Sequence, residues 1–217
     1  MSVKTLASEF ATYIADLPLV AILRGVTPDE VIGIGEAVRS AGFQVIEVPL
    51  NSPDPYSSIR MLAQTVGKEV LVGAGTVLTV EEVRAVADAG GRVIISPNTN
   101  VAVIRETKRL GLVSVPGFCT PTEALAAADA GADALKIFPA SSLGPEGFKV
   151  IAAVMPDLPV LAVGGIAPAA MPEYLDAGIS GFGLGSGLYR VGMDCAQVCE
   201  NAERYVGIYR EYVRSVK

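Results

Sequence analysis

Histidine and tryptophan are missing from this 217-residue chain. Without histidine no Ser-His or Cys-His nucleophile pair can be assembled, so acid–base work falls to carboxylate, lysine, tyrosine or water. Cysteine is scarce: Cys119, Cys195 and Cys199 are the full set. An odd, sparse set argues against a disulfide framework and fits a reducing cytoplasm. Cys195 and Cys199 stand four apart and can share a helix face, but a zinc reading lacks further ligands in a histidine-free chain. No metal and no cofactor is therefore expected. Charge is also low, at 18% of residues with a formal net charge of −6. No Lys/Arg-rich run is present, which speaks against nucleic acid as a partner. An acidic chain that binds an anion has to do so locally, through backbone amides and a few cations. A long unbroken apolar run is lacking too. The N-terminal MSVKTLASEFATYIADL carries Glu9 and Asp16 and reads as an amphipathic helix, not as a signal peptide or membrane span. Residues 150–166 are interrupted by Met155-Pro156-Asp157 and Pro159, which makes them a helix end, a turn and a strand.

Apolar residues make up 51% of the chain, enough for a large core in one domain over residues 1–217. A weak repeat organises it. Ser40-Ala41-Gly42, Asp88-Ala89-Gly90, Asp129-Ala130-Gly131 and Asp176-Ala177-Gly178 each end a helix-like segment with glycine, and Arg109-Leu110-Gly111 is a looser copy. A short apolar stretch follows each one. Helix, glycine stop and strand in alternation build parallel sheets. Eight strands are expected, at 19–23, 44–48, 70–72, 93–95, 112–115, 134–138, 160–163 and 181–184. Helices are expected at 29–40, 79–89 and 121–130, among others. Thr79 and Thr120, each followed three residues later by glutamate, mark two helix starts. The pattern predicts a (β/α)8 TIM barrel with an extra N-terminal helix. The runner-up is a doubly wound open sheet, which lacks its Gly-x-Gly-x-x-Gly turn here.

Lys136 carries the most chemical information. It sits in Ala134-Leu135-Lys136-Ile137-Phe138-Pro139, an apolar run that reads as a buried strand. Alternation places Ala134, Lys136 and Phe138 on one face and Leu135 and Ile137 on the other. If Leu135 and Ile137 meet the helices, the amine faces the barrel interior. Burial favours its neutral, nucleophilic form, as Schiff-base chemistry on a carbonyl requires. The plain alternative is a lysine snorkelling at a strand end or paired with a carboxylate. The same alternation turns Glu47 inward, where it is either an acid–base group or the partner in a structural ion pair. Arg24, at the end of the first strand, suits a bidentate grip on a carboxylate or a rim salt bridge. Gly164-Gly165 and Gly183-Leu184-Gly185-Ser186 close the last two strands, where barrels commonly bind phosphate, or else are simple turns. Thr76 can donate to a substrate oxygen or cap the next segment.

In this order these residues resemble the bacterial aldolases that cleave 2-keto-3-deoxy-6-phosphosugar acids, the KDPG/KDPGal aldolase family. The matching stretches are AILRG (21–25), AGFQVIEVPLNSP (41–53), GAGTV (73–77), SPN (96–98), PG (116–117), GADALKIFPAS (131–141), AVGGI (162–166) and GLGSGLY (183–189). The resemblance implies a class I aldolase with Lys136 as Schiff-base lysine and Glu47 as general acid/base. It places Arg24 and Thr76 at the pyruvate end, Pro97 and Phe138 around it, and Gly164, Gly165, Gly185 and Ser186 on the phosphate side. It also implies a cytoplasmic homotrimer acting on a phosphorylated keto-deoxy sugar acid. Glu47-Val48-Pro49-Leu50-Asn51 departs from the Glu-Val-Thr-Leu-Arg of gluconate-type members and is similar to the galactonate branch. Asn51 is thereby marked as a specificity position. Cleavage of 2-dehydro-3-deoxy-6-phosphogalactonate to pyruvate and D-glyceraldehyde 3-phosphate is the implied reaction, with the gluconate substrate or dual use as the alternative. The glycine loops by themselves also fit a phosphosugar isomerase or a phosphate-binding barrel without catalysis.

Overall fold

The computed structural model describes residues 7–216. The first helix, α1 (Ala7–Ile14), leads into β1 (Leu19–Ile22), α2 (Pro28–Ser40), β2 (Val45–Pro49), α3 (Pro55–Thr65) and β3 (Leu71–Gly75). Next come α4 (Val80–Asp88), β4 (Val93–Ile95), α5 (Val101–Arg109), β5 (Val113–Val115), β6 (Gly117–Phe118) and α6 (Pro121–Asp129). The chain finishes with β7 (Leu135–Ile137), α7 (Ala140–Ala152), β8 (Val160–Val163), α8 (Met171–Asp176), β9 (Gly181–Leu184) and α9 (Cys195–Ser215). All strand pairs are parallel, in the order β5-β4-β3-β2-β1-β9-β8-β7-β6.

The nine strands make eight staves, because β5 and β6 are one stave interrupted at Pro116. Val115 O accepts from Ser96 N on the β4 side, and Pro116 O accepts from Lys136 N on the β7 side. The stave hands its hydrogen bonds from one neighbour to the other, and the barrel closes there. Proline has no N–H to donate, so the interruption falls where a donor is lacking.

The glycine stops behave as the repeat implies. Gly42, Gly90, Gly111, Gly131 and Gly178 all have φ between 74° and 110°, the left-handed conformation that ends a helix and turns the chain toward the next strand. The helix starts are chemical as well. Thr79 Oγ1 accepts from Glu82 N (3.2 Å) while Glu82 Oε2 accepts from Thr79 N (3.0 Å), and Thr120 and Glu123 repeat the exchange.

Two apolar layers follow from strand alternation. Ile46, Val48, Leu135 and Ile137 join the helices in the outer layer. Val20, Val45, Leu71, Val93, Val113, Ala134 and Leu161 fill the barrel interior. Phe10 and Ile14 of α1 join that interior cluster, so the amphipathic helix seals one end of the barrel. Arg92, just ahead of β4, donates from Nη2 to Tyr13 Oη at 3.0 Å and lies over the Tyr13 ring. The sealed end is therefore the end where strands begin, and the site has to lie at the other. The first six residues of the expected N-terminal helix lie outside the described residues. Among the described residues, no helix is long and apolar enough to cross a membrane.

Candidate active site

At the C-terminal ends of the strands a cavity of about 1110 Å³ opens. Its wall contains Lys136 and, of the other expected residues, Arg24, Thr76, Pro97, Phe138, Gly164, Gly165, Gly185 and Ser186. They come from six staves, so only barrel closure brings them together. Glu47 and Asn51 are not part of that wall. Asn51 bonds to Arg24 of the wall, and Glu47 feels the charges of Lys136 and Arg24.

Lys136 is 6% exposed, with Ala134 in the interior cluster and Phe138 packed against it, as alternation requires. Its Nζ stands 5.0 Å from the centroid of the Phe138 ring. Burial pulls its pKa down, the nearby Glu47 charge opposes that, and Arg24 adds to the lowering. Burial thus shifts the Lys136 amine toward its neutral form.

Glu47 is 2% exposed and projects from β2 toward the inward face of β3. Burial raises its pKa, and the charges of Lys136 and Arg24 pull the other way. Oε2 is buried with no hydrogen-bond partner. Among the described residues no ion pair within 4.0 Å joins Glu47 to Lys136, so the two feel each other's charge without closing a salt bridge. The carboxyl group has room because Gly75, at an inward position of β3, has no side chain. A β-carbon on Gly75 would overlap Glu47 Oε2 and Cδ and come within 2.9 Å of Oε1. Gly73 is filled differently, since its β-carbon would overlap the Val93 carbonyl. Sequence reasoning had given these glycines no role, and only the neighbouring stave reveals one.

Arg24 and Asn51 meet directly. Arg24 Nη1 donates to Asn51 Oδ1 at 2.7 Å, and Gly25 N donates to Ser52 Oγ at 2.9 Å. The loops after β1 and β2 are thus tied twice, and a neutral amide holds the guanidinium without quenching its charge. Thr76 sits in left-handed backbone at φ 58°, an outlier for a β-branched residue. Such strain, about 1–3 kcal/mol, clusters at functional sites. Gly164 and Gly165 also have positive φ, at 97° and 76°.

The wall includes residues that sequence reasoning missed. Tyr189, Arg190, Val191 and Met193 come from the loop after β9, and Asn201, Arg204 and Tyr205 from α9. Tyr205 Oη donates to Ile166 O at 2.9 Å and lies against Gly187, where a β-carbon would overlap it. One α9 side chain therefore braces both glycine turns. No local pattern announces a contact across 39 residues.

Similarity to known proteins identifies the family. The chain is 50% identical over 193 residues to a probable 2-dehydro-3-deoxy-6-phosphogalactonate aldolase of Rhizobium meliloti (strain 1021), covering 88% of this chain and 91% of that protein. It is 47% identical over 199 residues to the 2-dehydro-3-deoxy-6-phosphogalactonate aldolase of Escherichia coli (strain K12), covering 91% and 97%. A solved structure described as native KDPGal superposes with a TM-score of 0.90 at 47% identity, over 91% of this chain and 97% of that one. The family model for KDPG and KHG aldolases matches residues 11–200, which takes in every stave and all eleven expected site residues. By that span and those identities, the chain belongs to the KDPG and KHG aldolase family.

Proposed function

We propose that this protein is a Schiff-base aldolase that cleaves 2-dehydro-3-deoxy-6-phosphogalactonate to pyruvate and D-glyceraldehyde 3-phosphate, as one catalytic unit over residues 1–217. The observation that carries the reading is a buried amine and a buried carboxyl, Lys136 and Glu47, close enough to act on each other's charge, with burial pushing both toward their neutral forms. The neutral Lys136 amine attacks the C2 ketone, and loss of water leaves an iminium. Glu47 in its neutral form gives its proton to the departing hydroxyl as that water leaves, and the carboxylate so formed takes up the proton of the C4 hydroxyl. The C3–C4 bonding electrons flow toward the iminium nitrogen, which frees the aldehyde and leaves an enamine. Protonation at C3 and hydrolysis then return the amine and release pyruvate.

Arg24 grips the carboxylate of the pyruvate end, and Thr76 adds a hydroxyl there. Pro97 and Phe138 wall the same end, while Gly164, Gly165, Gly185 and Ser186 receive the phosphate. Asn51 sets specificity by holding Arg24. The identities of 47–50% to galactonate-type relatives support that substrate over the gluconate one. The working assembly is a cytoplasmic homotrimer, as the resemblance implies. Val150 and Val154 stay 79% and 58% exposed and offer apolar surface to a neighbour.

Borohydride reduction in the presence of pyruvate tests the reading by mass spectrometry. Wild type gains one reduced pyruvyl adduct on Lys136, and Lys136→Ala gains none. An unmodified wild type, or an adduct that persists in Lys136→Ala, overturns it. Pyruvate release from the galactonate and gluconate substrates, assayed side by side, tests the substrate.

A further inference from the structure

We infer that Arg190 is the phosphate-binding cation of this site, a role that rests on the aldolase reading above. The glycine turns offer backbone N–H groups and the Ser186 hydroxyl, which carry only partial charges. A phosphate ester is close to a dianion at neutral pH, and the chain around it is net acidic at −6. A full positive charge is needed at that end, and the cavity wall holds four cations: Arg24, Lys136, Arg190 and Arg204. Three of them are committed. Lys136 is the buried amine, Arg24 is tied to Asn51, and Arg204 pairs with Glu200 at 3.5 Å. Arg190 makes no ion pair among the described residues.

Its placement is fixed all the same. Arg190 Nε donates to the Ser186 carbonyl at 2.7 Å, which fastens the guanidinium to the same turn that presents the Ser186 hydroxyl. With Nε used, the two Nη nitrogens remain as a planar fork of donors, the geometry that suits phosphate oxygens. The following residues hold the loop in place. Val191 lies so close to Gly25 that a β-carbon there would come within 2.6 Å of Val191 Cγ2, and Gly192 turns the chain at φ 89°. Arg190 thus shares the cavity wall with Gly185, Ser186 and Gly165.

Arg190→Gln removes the charge, and Arg190→Lys keeps it while losing the fork. Run in the condensation direction with pyruvate, the enzyme is given D-glyceraldehyde 3-phosphate or D-glyceraldehyde. In Arg190→Gln, kcat/KM for the phosphorylated aldehyde falls on the order of 10–100-fold, the loss expected for charge-assisted hydrogen bonds. The unphosphorylated aldehyde changes by less than about twofold, and Arg190→Lys recovers part of the loss. Binding of inorganic phosphate, read by calorimetry on the same proteins, weakens in parallel. An equal fall with both aldehydes means that Arg190 only fastens the loop and overturns the inference, as does unchanged phosphate binding. Pyruvate trapping by borohydride reports separately on the aldolase reading, and phosphate calorimetry still reads Arg190 if that reading fails.

Discussion

Gly75→Ala adds one methyl group at the position most sensitive to it. The new β-carbon overlaps Oε2 and Cδ of Glu47, so the whole carboxyl group has to swing aside. It has little space to do so, because Glu47 is 2% exposed and Oε2 has no hydrogen-bond partner to follow. Overpacking of this kind costs about 1–3 kcal/mol of stability. The effect on turnover is larger, since a displaced acid–base group forfeits about 10²–10⁴-fold in rate. Lys136 lies on the far stave and is untouched, so pyruvate is still trapped by borohydride. Steady-state cleavage, followed by pyruvate release, is compared among wild type, Gly75→Ala, Glu47→Gln and the double variant. Because both changes act through one carboxyl, the double variant is expected to be about as slow as Glu47→Gln alone. A folded Gly75→Ala enzyme with wild-type kcat refutes the reasoning. So does a double variant in which the two losses multiply, since the glycine would then act on something other than Glu47.

Three further outcomes follow from the charges. The acid limb of imine formation tracks protonation of Lys136, and Glu47 opposes the lowering of that pKa. Glu47→Gln removes the opposition, so the limb in a pH profile of pyruvate trapping moves to lower pH; a move to higher pH contradicts the assignment. Glu106 is held at about 2 by hydrogen bonds from Arg109 and Arg84, below its ordinary 4.5. Its contribution is full above pH 4.5 and is lost as pH falls toward 2, so urea unfolding of Glu106→Gln should be less pH-dependent than wild type in that window. Asn51→Arg replaces the acceptor of the Arg24 hydrogen bond with a like charge. It is expected to lower kcat/KM for the galactonate substrate about 10-fold or more, and unchanged selectivity between the two sugar acids removes Asn51 from the specificity reading.

The fold was readable because its rules are local. A glycine at the end of each helix, threonine–glutamate pairs at helix starts and period-two alternation around Lys136 and Glu47 all act within a few residues. The same alternation placed both groups inside the barrel. What the sequence hid depends on neighbours distant along the chain. Gly75 matters only because Glu47 comes from the next stave, and Tyr205 matters only because α9 folds back over Ile166 and Gly187. The split stave at Pro116 was hidden for a related reason: a short strand pattern does not say which neighbour each carbonyl will meet. β3 extends through Gly75 where a strand ending at Val72 was expected, because glycines weaken an apolar pattern even where they pair well in the sheet.

With Phe10 and Ile14 of α1 filling the barrel floor, the described residues leave the cavity at the strand ends as the doorway. Water, sugar acid and both fragments must use it in turn. On the Schiff-base reading proposed above, the three-carbon remainder stays tethered to Lys136 until hydrolysis while the phosphorylated fragment is already unbonded, so covalent attachment and not relative affinity orders their departure.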